Sequence, residues 1–215
     1  MPAFGPASSA TPRAVIFDIG RVIVRVNVAG VLNGIGSGLG LTSEQVWAAL
    51  NHDPLWKDWQ EGRIAPANWH AHVCEKFRVT LDLERFCAAW NAALDPETIL
   101  PESLFEALSA QSRLALLSNT DPIHVAHMEA AFPFVRHFPV RIYSCRVSAS
   151  KPAPAIYHHA LRGVGVSASE AVYIDDIEAY VEAARALGMA GILFTSAEAL
   201  RAELARLGLP AGSAS

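Results

Sequence analysis

The stretch that most constrains this chain is Ala14-Val15-Ile16-Phe17-Asp18-Ile19-Gly20-Arg21, where an uninterrupted apolar run ends on a carboxylate. Four apolar residues without alternation suit a strand covered on both faces, as the central strand of a parallel α/β sheet is. Such sheets bind ligands at the carboxyl ends of their strands, where strand order reverses, so Asp18 would stand at the binding edge. Gly20 would permit an unusual backbone turn directly after it. A carboxylate held on a strand tip can serve as a nucleophile or as a metal ligand. Strands also end in Asp for turn chemistry alone, and the run by itself leaves both readings open.

Residues from about 25 to 104 then read as consecutive helices with no strong strand signal. Thr42-Ser43-Glu44-Gln45 has the form of a capping box, and Pro66 suits the first position of a helix with Trp69, Val73 and Phe77 on one face. Leu83, Phe86, Cys87 and Trp90 follow i, i+3, i+4, i+7 and predict an amphipathic helix. At the start of the block Gly30, Gly34, Gly36, Gly38 and Gly40 weaken any helix by about 1 kcal/mol each relative to Ala.

From Pro101 an α/β rhythm begins. Strands are predicted at Leu114–Leu117, Val140–Tyr143, Ala171–Ile174 and Gly191–Phe194, with helices between and after them. Asp121-Pro122 predicts an N-cap followed by a helix, and the helix after Lys151-Pro152 carries Ile156, Tyr157, Ala160 and Leu161 and stops near Gly163. The fold class is therefore α/β: a Rossmann-like parallel sheet with helices on both faces and an inserted all-helical block. The expected organisation is a disordered tail over 1–13, a core over 14–24 and 105–215, and the helical block over 25–104.

A chain of 215 residues, 52% hydrophobic and 18% charged, can bury a substantial core. Its formal charge of −4 and lack of any Lys/Arg run argue against a nucleic-acid surface and favour small metabolites. Cys74, Cys87 and Cys145 form no CxxC pair, so neither a disulfide framework nor a zinc site is indicated, and a reducing cytoplasm fits. The Pro/Ala/Ser-rich start lacks the basic and apolar regions of a signal peptide, and no apolar run nears the ~20 residues that cross a bilayer. Nothing in the sequence signals an oligomeric state.

Three predicted strands end in polar groups at one edge, namely Asp18, Ser118-Asn119 and Asp175-Asp176, and Lys151 precedes the next helix. A carboxylate can attack phosphorus and split hydrolysis into formation and breakdown of an acyl phosphate. Two anions repel, so Asp18 can approach a phosphate only with a cation between them. Mg²⁺ meets that need with one or two carboxylates plus substrate oxygen and water, and Asp175 and Asp176 would complete its site. Lys151 would act as a point charge on the phosphate and on Asp18, while Ser118 and Asn119 donate to the phosphoryl oxygens. Arg21 stands beside the nucleophile, either contacting an anionic substrate group or pointing to solvent.

Taken in order, Phe17-Asp18-Ile19-Gly20, Leu117-Ser118-Asn119, Lys151-Pro152 and Ile174-Asp175-Asp176 resemble the four motifs of the haloacid dehalogenase superfamily. The resemblance covers about residues 14 to 195. It is strongest toward the subgroup of bacterial α-glucose-1-phosphate phosphatase and the soluble epoxide hydrolase phosphatase domain, through Leu116-Leu117-Ser118-Asn119-Thr120 and Lys151-Pro152-x-x-x-Ile156-Tyr157. It implies that Asp18 is the nucleophile, that the Gly20 carbonyl and Asp176 hold Mg²⁺, and that Asp175 is a ligand or a partner of the ligands. It further implies that Lys151, Ser118 and Asn119 bind phosphate and that the helical block caps the site.

Two positions depart from the family pattern. Most of its phosphatases carry a second Asp two residues after the nucleophile, as general acid and base, and here that place is Gly20. Such help is worth roughly 10² to 10⁴ in rate, so its loss favours acidic leaving groups such as the anomeric oxygen of a sugar 1-phosphate. Tyr180 stands where the family usually has Asn. The leading reading is a Mg²⁺-dependent phosphatase acting on a small phosphorylated metabolite. Its rivals are a metal-independent 2-haloacid dehalogenase, in which an Asp175-Asp176 pair is superfluous, and a catalytically weak binding or regulatory protein. The histidines suggest no metal site: His70 and His72 diverge on a helix, as do His158 and His159, and His124 with His127 lacks a third ligand. Trp47, Trp56, Trp59, Trp69 and Trp90 read mostly as core.

Overall fold

The structure is a computed structural model that describes residues 11–35 and 40–212. The first ten residues of the expected tail, and Gly36 and Gly38 of the glycine-rich stretch, lie outside the described residues. The chain enters through β1 (Ala14–Phe17), a strand buried along its whole length. β2 (Val24–Val26) leads into α1 (Val28–Ile35), α2 (Ser43–Asn51), α3 (Trp56–Gln60), α4 (Pro66–Phe77) and α5 (Leu83–Asn91). β3 (Leu94–Thr98) and α6 (Glu102–Ser109) bring the chain back to the core.

There β4 (Arg113–Ser118), α7 (Pro122–Ala131), β5 (Val140–Tyr143), α8 (Ser144–Val147) and α9 (Pro154–Val164) follow. β6 (Ala171–Asp175), α10 (Glu178–Ala186), β7 (Ala190–Leu193) and α11 (Ala197–Arg206) complete the described chain. The five core strands form one parallel sheet in the order β5-β4-β1-β6-β7. β1 is its middle strand, as the unbroken apolar run predicts. Alternate residues of β1 face opposite layers. Val15 and Phe17 pack with Leu116, Ile174 and Phe105, whereas Ala14 and Ile16 pack with Leu117, Tyr173 and Ile156.

Capping chemistry sets the helix starts where the sequence predicts. Thr42 and Gln45 form a reciprocal capping box on α2, Pro66 opens α4, and Asp121 caps α7 ahead of Pro122. The stripe of α5 shifts slightly: Phe86, Ala89 and Trp90 are buried, while Leu83, at the free first turn, is 40% exposed. α9 runs past Gly163 to cap on Gly165, which takes the left-handed conformation at φ 62°. Gly163 is internal because α9 crosses β5 so closely that a Cβ there would stand 2.6 Å from Val140.

Residues 25–104 hold a strand as well as helices. β2 and β3 pair antiparallel at Val24↔Thr98 and Val26↔Leu94, where the chain leaves and re-enters the core. The segment Leu94-Asp95-Pro96-Glu97-Thr98 has neither alternation nor β-branched enrichment, so its extended form comes from pairing with β2, and Pro96 is tolerated because the ribbon has only two strands. The helices of this block have a hydrophobic cluster of their own, built on Trp59, Trp69, Val73, Phe86 and Trp90.

Candidate active site

Register alone brings two of the predicted side chains, Asp18 and Asp175, together. Phe17 pairs with Leu116 on one side and Ile174 on the other, so the next residues of the strands, Asp18, Leu117 and Asp175, lie at one level. The Asp18 amide continues the ladder, donating to the Ile174 carbonyl at 2.8 Å. Lys151 arrives from the loop between α8 and α9, before a cis peptide bond to Pro152. Its Nζ donates to Asp18 Oδ1 at 2.6 Å, to Asp175 Oδ2 at 2.7 Å and to the Leu117 carbonyl at 3.2 Å. Three acceptors thus use all three ammonium donors of a side chain that is 2% exposed.

Asp18, Asp175 and Asp176 each offer a carboxylate oxygen, and these lie within 4.8 Å of one another. Burial pushes Asp18 up and Lys151 opposes it. Asp175 and Asp176 add to the rise, and its pKa stands at about 7. Asp176 is raised for the same reasons, burial first and Asp175 second. Burial disfavours the Lys151 charge, but Asp18 and Asp175 outweigh it and its pKa is raised. Three carboxylates around one ammonium leave an excess of negative charge in a buried place, which a divalent cation would balance. Asp18 and Asp176 are the carboxylates suited to it. Asp175 is already held by Lys151 and Tyr173 at Oδ2 and by the Ile177 amide at Oδ1, so it orients the lysine first.

Ser118, Asn119, Gly20 and Arg21 line one cavity. Ser118 is buried at the end of β4 and lines the cavity. Asn119 lines it too, but its carboxamide is turned onto Lys151: Nδ2 donates to the Lys151 carbonyl at 3.0 Å, and Oδ1 accepts from the Lys151 amide at 2.8 Å. Its side chain therefore positions the lysine. The unusual turn falls on Arg21, at φ 60°, and Gly20 is the residue whose missing side chain leaves room beside Val26, 3.3 Å from where a Cβ would sit. The Arg21 side chain is 58% exposed at the cavity edge, with Nη1 4.0 Å from Asp176.

Tyr180 makes two contacts beside the lysine. Its ring covers Lys151 Nζ at 5.0 Å from the centroid, and its hydroxyl lies 3.4 Å from Asn119 Nδ2. Tyr173, which the sequence presents only as a core residue, donates its hydroxyl to Asp175. A signal for it exists: residues i and i+2 of a strand share a face, so a tyrosine two places before the Asp pair points the same way as Asp175.

A cavity of ≈ 480 Å³ opens over the cluster between sheet and helical block. Its wall includes Trp47, Trp56 and Trp90, together with Leu50, Gln60 and Lys57 from the block and Asp121 and His124 from α7. Trp59 and Trp69 instead stack on each other at 5.3 Å and 6° inside the block. The block is seated on the core by polar contacts next to the site. Ser144 Oγ donates to the Gln60 carbonyl at 2.6 Å, and Ser150 Oγ donates to Glu61 at 2.6 Å. Among the described residues no histidine belongs to a group of three or more side chains close enough to share a metal ion.

Comparison with known proteins bears on this arrangement. A 71-residue stretch is 37% identical to bifunctional epoxide hydrolase 2 of Sus scrofa, covering 33% of this chain and 13% of that protein's length. The fold is similar to a haloacid dehalogenase family enzyme of Bacteroides thetaiotaomicron solved with magnesium and inorganic phosphate, at TM-score 0.72 and 22% identity over 86% of this chain and 95% of that one. A haloacid dehalogenase-like hydrolase of Porphyromonas gingivalis aligns at TM-score 0.77 and 22% identity, over 92% and 98%. L-2-haloacid dehalogenase of Xanthobacter autotrophicus, with chloropropionic acid covalently bound, aligns at TM-score 0.62 and 19% identity, over 91% and 83%. At these identities the structures speak for the fold. A family model matches residues 12–188, most of the chain, and by that match the chain belongs to the haloacid dehalogenase-like hydrolases.

Proposed function

We propose that this hydrolase is a Mg²⁺-dependent phosphatase acting on a small phosphorylated metabolite through an aspartyl-phosphate on Asp18. One observation carries the reading: three carboxylates converge where a single buried ammonium pairs with two of them and an exposed Arg21 stands 4.0 Å from the third. That surplus of negative charge suits a phosphatase, which needs a divalent cation, and is superfluous in the metal-free displacement of halide by an aspartate. The magnesium and phosphate bound by the B. thetaiotaomicron enzyme support the same choice. Asp18, the Gly20 carbonyl and Asp176 would hold the ion. When bound, it supplies positive charge that lets one anion approach another and stabilises charge on the phosphoryl oxygens.

In this reading Lys151 keeps one Asp18 oxygen fixed and neutralises part of the incoming phosphate, with Ser118 facing it at the strand end. An Asp18 oxygen forms a bond to phosphorus as the bond to the leaving oxygen breaks. Water then attacks the acyl phosphate, releasing inorganic phosphate and restoring the carboxylate. At Gly20 there is no acid side chain to protonate the leaving oxygen, so leaving groups that depart as weakly basic anions are favoured, a sugar 1-phosphate among them. The helical block serves as a cap, its tryptophans packing on the leaving group. Asp18→Asn is expected to lower magnesium-dependent phosphate release by about 10⁴-fold or more, the scale seen when a covalent nucleophile is lost. Full activity in that variant would remove Asp18 from the role.

A further inference from the structure

Trp90 belongs to the helical block, yet two residues of the core hold it. Its indole Nε1 donates to Asp121 Oδ2 at 3.0 Å. Its backbone carbonyl lies 3.0 Å from His124 Nε2, and its ring stacks on the imidazole at 5.8 Å and 27°. His124 Nδ1 in turn lies 3.0 Å from the same Asp121 Oδ2. Nε2 donates to the Trp90 carbonyl, which leaves Nδ1 facing a carboxylate oxygen 3.0 Å away; a bare lone pair there would be repelled and an N–H attracted, which favours the imidazolium. The other oxygen of Asp121 accepts from the amides of Ile123 and His124 at 2.9 and 3.0 Å, which fixes the carboxylate on the first turn of α7.

We propose that Asp121 and His124 form a charged clamp that holds Trp90 in the cavity wall and so sets where the leaving group packs relative to the phosphate site. The proposal rests on the phosphatase reading above. Asp121 follows Ser118-Asn119-Thr120 directly, so the clamp ties a wall of the block to the strand end that meets phosphate. His124 turns one ring nitrogen to the Trp90 carbonyl and the other to Asp121, both within the protein, which makes it a positioning residue. The titratable groups facing the pair are His127 on α7, Cys87 on α5 and Cys145 on α8. Burial and the His124 charge hold His127 below the usual imidazole range, and burial aided by Asp121 pushes both thiols up. All three are therefore neutral near neutral pH, and the strongest charge acting on each member of the clamp is the other. Burial works against the His124 charge, but Asp121 outweighs it and the pKa is raised. Burial likewise works against the Asp121 charge, yet His124 and Trp90 keep its pKa below the ordinary carboxylate value.

The test combines nitrogen NMR of the histidine rings in the intact protein with steady-state kinetics on 4-nitrophenyl phosphate. One histidine should keep both ring nitrogens protonated above the ordinary imidazole pKa of ~6.5, and its signal should vanish in His124→Asn. That variant should raise KM about tenfold, equal to about 1.4 kcal/mol, while kcat changes by less than about twofold. In the wild type KM should rise as pH passes the point where this histidine loses its proton. A singly protonated His124 at neutral pH, or a variant that lowers kcat and leaves KM alone, overturns the clamp. If the protein releases phosphate from no ester at all, the phosphatase reading falls, and the ring protonation state still decides whether the charged clamp exists.

Discussion

Asp53 in the helical block and Asp18 in the core are almost equally buried, at 5% and 6% exposure, and their surroundings have driven them in opposite directions. Asp53 is one carboxylate with two side-chain donors, Lys76 Nζ at 2.6 Å and His72 Nε2 at 2.9 Å, and the Leu55 amide at 2.9 Å. Burial pushes its pKa up, the three donors more than offset this, and it falls to about 2. Asp18 shares one ammonium with Asp175 and has Asp176 close by, and its pKa stands at about 7. The first cluster is electrically complete and ties α4 to the turn before α3. The second is short of positive charge. Burial does not separate a carboxylate that holds a fold from one that awaits a ligand; the count of partners does.

Removing the one cation of the core cluster should break the contrast most sharply. Lys151→Met leaves Asp18 and Asp175 buried without their countercharge, and should destabilise the metal-free protein by about 3–5 kcal/mol in a urea titration, besides abolishing activity. Stability equal to the wild type would show that the cluster carries little charge. Gly20→Asp pushes the other way by adding a carboxylate. A Cβ there meets Val26 at 3.3 Å, which a small shift of that side chain relieves. If the site lacks only its acid, hydrolysis of simple alkyl phosphates should rise by about 10²-fold, equal to about 2.7 kcal/mol. No gain would favour a binding or regulatory protein.

Magnesium should fill the deficit directly. At a hundredfold excess over its dissociation constant it should stabilise the fold by about 2.7 kcal/mol, read as a rise in unfolding temperature, and Asp176→Asn should lose most of that rise. An equal rise in the variant would place the ion elsewhere.

The same contrast explains what the sequence disclosed. The core site was legible because a parallel sheet converts strand ends into neighbours: once Asp18, Ser118 and Asp175 are read as termini of adjacent strands, their meeting follows from register. Lys151 was legible through its motif. The roles of Asn119 and Tyr180 were not, because both act on Lys151 through contacts across 32 and 29 residues that leave no periodic trace. In the block, periodicity identified the helices but not which tryptophans would face the cavity. Trp56 and Trp59 are three apart on one helix, and only packing against α4 and α5 decides that Trp59 is enclosed while Trp56 reaches the cavity. β3 was invisible because its partner, not its composition, makes it a strand.

The smallest effect expected lies in the block and carries the sign of the comparison. Asp53 has a folded pKa of about 2 against an ordinary value of 3.8, so its ionised form is favoured by folding. That contribution is fully present above about pH 4, amounts to about 2 kcal/mol, and is lost as pH falls toward 2. Asp53→Asn should therefore cost about 2 kcal/mol at neutral pH and flatten the acid limb of the stability curve. Asp18 has the reverse sign in the metal-free protein: a folded pKa of about 7 means that stability declines as pH rises from about 4 through 7, and magnesium should cancel that decline. Urea titrations across this range, with and without the ion, separate the two. A wild-type decline between about pH 4 and 7 that magnesium leaves untouched would mean that Asp18 is not the group it serves.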